Sequence, residues 1–142
     1  MLTGTGRDRP GIVNALSEAI VKDGGSIEES RMAVLGGEFA IIVLVAGVEN
    51  VLSGLEQNAE AIGGKTGLGI QTRRTERKAT STGVMLYQIE AFSMDQPGIV
   101  HSMTEFFASR NMNVASLSTE TYAAAHSGTP MFGLDMVVEI AT

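Results

Sequence analysis

Asp8-Arg9-Pro10-Gly11-Ile12-Val13 returns later in the chain as Asp95-Gln96-Pro97-Gly98-Ile99-Val100. An internal repeat defines the architecture before any single residue is interpreted, because each copy must fold by the same rules. The residues beyond each copy also match. Ser26-Ile27-Glu28 stands where the second copy reads Asn113-Val114-Ala115, and Phe39 aligns with Phe132 once a few extra residues are allowed between them. The chain reads as two tandem copies of one small unit.

Working outward from the first motif, the order of elements is clear. Met1 to Gly6 is a short strand ending at a glycine-containing turn. Asp8 or Arg9 is expected to cap a helix whose first turn holds Pro10, where a missing N–H costs nothing. Ile12, Leu16 and Ile20, with Val13 alongside, recur at the helical period, and Gly24-Gly25 supplies the stop. Ser26 to Leu35 reads as a strand, Gly36-Gly37 as a hairpin turn, and Glu38 to Val45 as a central strand buried on both faces. Glu49 to Ile62 has helical spacing through Val51, Leu52, Leu55 and Ala59, and Gly67 to Arg73 closes the unit as a strand. Gly63-Gly64-Lys65-Thr66-Gly67 has a phosphate-friendly composition but precedes a strand instead of opening a helix, which is the wrong context.

Strand, helix, strand, strand, helix, strand is the split βαβ order. It predicts an α+β, ferredoxin-like fold with a four-stranded antiparallel sheet and both helices on one face. The expected core is Ile12, Leu16, Ile20, Ile41, Val43, Val51, Leu52 and Leu55. The first domain spans 1–74. A polar linker, 75–82, includes Arg77, Lys78 and Ser81 and continues the basic cluster Arg73–Arg74, read here as a solvated run. The second domain spans 83–142. Its elements are Val84 to Phe92, a helix from Pro97 to Arg110 with Ile99, Met103, Phe106 and Phe107 inward, then Val114 to Tyr122 and Met131 to Ile140. It lacks a second helix and fourth strand, so the edge of Val84 to Phe92 is expected to be open and Val137 and Ile140 uncovered. Such an edge favours pairing with another chain.

Composition excludes several classes of function. An apolar content of 44% across 142 residues is that of packed domains, and a net charge of −6 disfavours binding to nucleic-acid backbones or anionic lipid. The chain has no cysteine, which removes disulfides, thiolate metal sites and cysteine nucleophiles. No apolar run is long enough to span a bilayer and no signal peptide is evident, so the expected location is the cytoplasm. His101 and His126 have no partners in the sequence that would make a metal site. The methionines at 85, 94, 103 and 112 fall at even spacing across strand, turn and helix, which is coincidence. With no nucleophile elbow or phosphate loop, the sequence offers no catalytic residue, metal or cofactor.

The repeated motif suits a zwitterion. A strand-to-helix turn exposes the first N–H groups of the helix, which favour a carboxylate. A glycine lets a small ligand approach the backbone, and an adjacent aspartate can pair with an α-ammonium group. The plainer reading is that Asp8 and Asp95 only cap helices, with the N–H groups of Gly11 and Ile12 used in either case.

The Asp-x-Pro-Gly-Ile-Val opening, a helix ending in glycine and a strand beginning Asn-Ile or Ser-Ile together resemble the ACT domain. The tandem pair, and especially Ser26-Ile27-Glu28-Glu29-Ser30-Arg31-Met32-Ala33-Val34-Leu35-Gly36-Gly37-Glu38-Phe39, resembles the glycine cleavage system transcriptional repressor family of two-ACT proteins. That resemblance implies a non-catalytic regulator that binds a small amino acid, glycine being the one it suggests. The ligand would lie near this turn, often across an interface between units, with a DNA-binding activator as protein partner and no DNA contact of the regulator's own. The implied ligand residues are Asp8, Arg9, Pro10, Gly11, Ile12, Ser26 and Ile27, with Asp95, Gln96, Pro97, Gly98, Ile99, Asn113 and Val114 in the second copy. A homodimer is expected. The alternative is the regulatory segment of a longer enzyme, of formyltetrahydrofolate deformylase or phosphoserine phosphatase type. A third reading is an ACT pair that only holds partners together.

Overall fold

The computed structural model describes residues 1–79 and 82–142; Thr80 and Ser81, within the expected linker, lie outside the described residues. The chain divides into two units, Met1–Arg77 and Lys78–Thr142. In the first, β1 (Leu2–Arg7), α1 (Ile12–Lys22), β2 (Ser26–Leu35), β3 (Glu38–Ala46), α2 (Glu49–Thr66) and β4 (Gly69–Thr72) adopt the expected order. The sheet order is β2-β3-β1-β4, every neighbouring pair antiparallel. This is the ferredoxin-like arrangement, with the last strand beside the first.

The core obeys the periodicity. Ile12, Leu16 and Ile20 of α1 and Leu55 and Ile62 of α2 bury against Leu2, Phe39, Ile41 and Val43, so both helices share one face of the sheet. Val51 packs only partly buried against this cluster, Leu52 is half-buried, and Val13 faces solvent. The expected core was too generous for Val51 and Leu52. β3 departs further. Phe39, Ile41 and Val43 are buried, but Ile42 between them is 51% exposed. An apolar run marks a strand buried on both faces only where both faces are covered, and here one layer of helices leaves the other face open.

Gly36 and Gly37 both have positive φ, 59° and 81°, as a two-residue type I′ hairpin requires. α2 runs one turn beyond Ile62. Gly63 to Thr66 are helical, the left-handed residue that ends the helix is Gly67 at φ 74°, and β4 is correspondingly short.

The second unit contains β5 (Val84–Met94), α3 (Ile99–Ala108), β6 (Asn113–Ala123) and β7 (Pro130–Ala141), in sheet order β5-β7-β6. The repeat extends to register. Phe39 and Phe132 lie at equivalent points of their strands, and both first hairpin strands carry a bulge, at Glu28 and Ala115. Phe107, Phe132, Leu134, Met136 and Val138 form the core, with Ile99, Met103 and Ile140 partly buried against it. Phe106 is not inward: it is 50% exposed, with the Arg110 guanidinium 3.8 Å above its ring. Val137 alternates with Met136 and Val138 and so lies on the opposite face from Ile140. Among the described residues, β5 pairs only with β7, leaving one edge unpaired.

The basic cluster is more engaged than a solvated run. Arg74 pairs with Glu49 (2.9 Å) and with Glu56, and also reaches Ser53. Arg77 pairs with Glu28 and Lys78 with Glu139, each at 3.3 Å. Arg74 holds the Glu49 carboxyl below its ordinary range, with help from the Ser53 hydroxyl. No helix among the described residues is long and apolar enough to cross a membrane.

Candidate functional site

β1 delivers the chain to the motif at Arg7, and the hairpin between β2 and β3 holds the turn in place. The Asp8 N–H donates to the Gly37 carbonyl at 3.0 Å. In the second unit, the Asp95 N–H donates to the Pro130 carbonyl at 2.9 Å, the same position in the fold. The helices begin later than the sequence suggested. Pro10 and Pro97 lie in the turn, not in the first helical turn, and Gly11 and Gly98 are the N-caps, left-handed at φ 82° and 84°. Such backbone angles favour glycine, since a Cβ there crowds the following carbonyl.

Neither aspartate nor Arg9 caps its helix: no side chain makes a cap hydrogen bond at α1 or α3. The plainer account of Asp8 and Asp95 is therefore corrected. Their side chains are exposed beside helix N-termini whose first turns hold no acidic residue. The partial positive charge of those ends is not neutralised from within the helix.

Arg9 is committed elsewhere. Its guanidinium donates to the carbonyls of Lys65 (3.2 Å) and Thr66 (2.9 Å), tying the turn to the C-terminal end of α2. The second unit has Gln96 at this position. Sequence reasoning had no signal for the Arg9 contacts, because the partners lie on the far helix.

Above the first turn is an open cleft of about 430 Å³, inside the ~300–1,000 Å³ range of small-molecule sites. Asp8 to Asn14 form one wall, and Met32, Val34 and Phe39 form the other. Met32 and Val34, on the edge strand β2, were missed as wall residues; their strand alternation with Phe39 was the available signal. A Cβ built on Gly11 would meet open space, so the turn's backbone is accessible.

The remaining candidates lie apart from this cleft. Ser26 pairs with Ala46, whereas Arg7, just before the motif, pairs with Glu38. The start of β2 is thus about 30 Å from the Asp8 turn, one strand length away. Ile27 shares that distant end. Asn113 and Val114 occupy the equivalent end of the second sheet, where the Asn113 side-chain amide donates to Glu139 at 2.8 Å. Within one unit the structure brings Asp8 to Ile12 together, and likewise Asp95 to Ile99, but does not bring either set to its strand-start residues. Among the described residues no group of three His, Asp or Glu side chains could hold a metal.

The sequence pattern of the ACT domain matches residues 1–73. The chain belongs to the ACT domain family. The ACT chain is 32% identical over 124 residues to the glycine cleavage system transcriptional repressor of Escherichia coli (strain K12), and equally to that of Shigella flexneri. The alignment takes in 87% of this chain but 65% of those curated relatives' length. Among solved structures, a Galdieria sulphuraria protein of unknown function superposes with a TM-score of 0.78 at 32% identity, covering 99% of this chain and 80% of its own. A candidate glycine cleavage system transcriptional repressor superposes at 0.73 with 28% identity, covering 99% and 78%.

Proposed function

We propose that the chain is a non-catalytic regulatory protein whose paired ACT units sense a free α-amino acid and act through protein–protein contacts. The observation that carries this reading is the repeated turn. Asp8 and Asp95 are exposed, do not cap, and flank a left-handed glycine and an unneutralised helix N-terminus. One carboxylate and one set of N–H donors suit the ammonium and carboxylate of an amino acid together. The relatives' names support transcriptional regulation tied to glycine cleavage; glycine as ligand, a regulatory protein as partner and no DNA contact of the chain's own belong to the proposal. The units are residues 1–74 and 83–142, joined by 75–82, and the setting is the cytoplasm. Because Ser26 and Ile27 lie at the far end of the sheet, a ligand touching them and Asp8 together would bridge two copies of the chain, which fits a homodimer.

Isothermal titration against the twenty amino acids tests the reading. Asp8→Asn or Asp95→Asn should weaken binding about tenfold, a loss of about 1.4 kcal/mol. Unfolding free energy should stay within about 0.5 kcal/mol, since neither carboxylate caps its helix. Unchanged affinity in both variants would remove the turn from the site.

A further inference from the structure

The second sheet has an outer face that α3 does not touch. Its cross-strand rows are set by the register. Met94, Met131 and Tyr122 form one row; Phe92, Gly133 and Glu120 form the next; Glu90, Asp135 and Ser118 form the third. Phe92 is 69% exposed and Met94 66%. Gly133 is covered by the Glu120 and Tyr122 side chains. Rows on one face are about 7 Å apart along the strand and neighbours about 5 Å apart across it. A Met- and aromatic-rich patch therefore adjoins three carboxylates.

The charge is one-sided. Glu90 and Asp135 stand directly opposite each other, a like-charge pairing that disfavours the sheet. The ion pairs among the described residues include none of Glu90, Glu120 or Asp135, and these side chains do not form a metal cluster. In the first unit both helices pack on the inner face and β4 joins beside β1, so elements of that kind leave an outer face open. Adaptable methionine and aromatic side chains beside uncompensated charge are characteristic of a docking surface.

We propose that this face docks a cationic protein segment, with an aliphatic or aromatic anchor on the Phe92–Met94–Met131–Tyr122 patch and Lys or Arg side chains on Glu90, Glu120 and Asp135. The complementary charge selects this occupant over a second copy, because the whole chain is acidic. The proposal rests on the regulatory reading for there being a protein partner, and it names where and by what chemistry that partner binds.

The probe is a short synthetic peptide alternating Lys and Leu, titrated into the full chain and followed by amide chemical shifts, with a Glu-Leu peptide as control. The Lys peptide should shift Glu90, Phe92, Glu120 and Asp135, and its affinity should fall with added salt. The exposed double variant Glu90→Gln/Asp135→Asn should weaken it about tenfold, and Phe92→Ser similarly, with circular dichroism confirming the fold. Equal binding of the Glu peptide, shifts confined elsewhere, or no binding would overturn the proposal. So would self-association abolished by Phe92→Ser, which would assign the face to a second copy. Amino-acid titration of the Asp8 and Asp95 variants reports separately, so loss of sensing leaves the docking result standing, and the reverse.

Discussion

At Gly11 the energetics are unusually separable. A Cβ there would meet nothing, so Gly11→Ala costs only the left-handed backbone penalty, about 1–2 kcal/mol. Urea unfolding should show that loss; a much larger one would mean the turn is packed more tightly than the open cleft implies. Arg9 is the converse case. Read from sequence it belongs with the ligand residues, but its guanidinium ends on the Lys65 and Thr66 carbonyls. Arg9→Ala should destabilise the first unit by about 1 kcal/mol, whereas Gln96→Ala should change stability little. Equal effects of the two substitutions would contradict the structural role. The aspartates and glycines were legible because a repeat displays them twice. The Arg9 contacts were not, because they depend on a helix end far along the chain.

Helix α2 shows how an element's end is decided. The helical spacing reads only to Ile62, just before two glycines, each of which costs about 1 kcal/mol in a helix interior. The helix continues because its last turn packs tightly: a Cβ on Gly63 would lie 2.7 Å from the Leu68 carbonyl, so only glycine fits there. Fully buried Thr66 completes the end, its hydroxyl donating to the Ile62 carbonyl at 2.7 Å and accepting from the Leu68 N–H at 3.3 Å. Thr66→Val keeps the shape but orphans that N–H, and should cost about 1–3 kcal/mol in denaturant unfolding. A neutral substitution would mean the hydroxyl is dispensable. At the other end of α2, Arg74 lowers the Glu49 pKa. A depressed carboxyl contributes stability above its unfolded pKa and loses it as pH falls through the folded value. Wild type should therefore lose more stability than Glu49→Gln on acidification through the glutamate range. Parallel pH profiles would show the pair to be energetically idle, as many exposed pairs are.

For the whole molecule, the decisive features are two uncovered outer sheet faces and edge strands β2 and β5 paired on one side only among the described residues. An open edge with exposed Leu86 is a template for association. The chain should sediment as a dimer or larger assembly, and Leu86→Lys should weaken any association through β5. A stable monomer at high concentration would contradict this.

The sequence by itself determined the repeat, the order of elements, the hairpin glycines and the inward stripe of α1. Each of these is written in spacings of a few residues, where backbone geometry couples neighbours directly. Tertiary structure decided which face of β3 is covered, that Phe106 and Val137 point away from the core, and that α2 runs on to Thr66. It also placed Ser26 and Asn113 a strand length from the aspartates they accompany in sequence. Those outcomes depend on how many layers pack on a sheet and which distant segments meet, and local spacing carries no record of either.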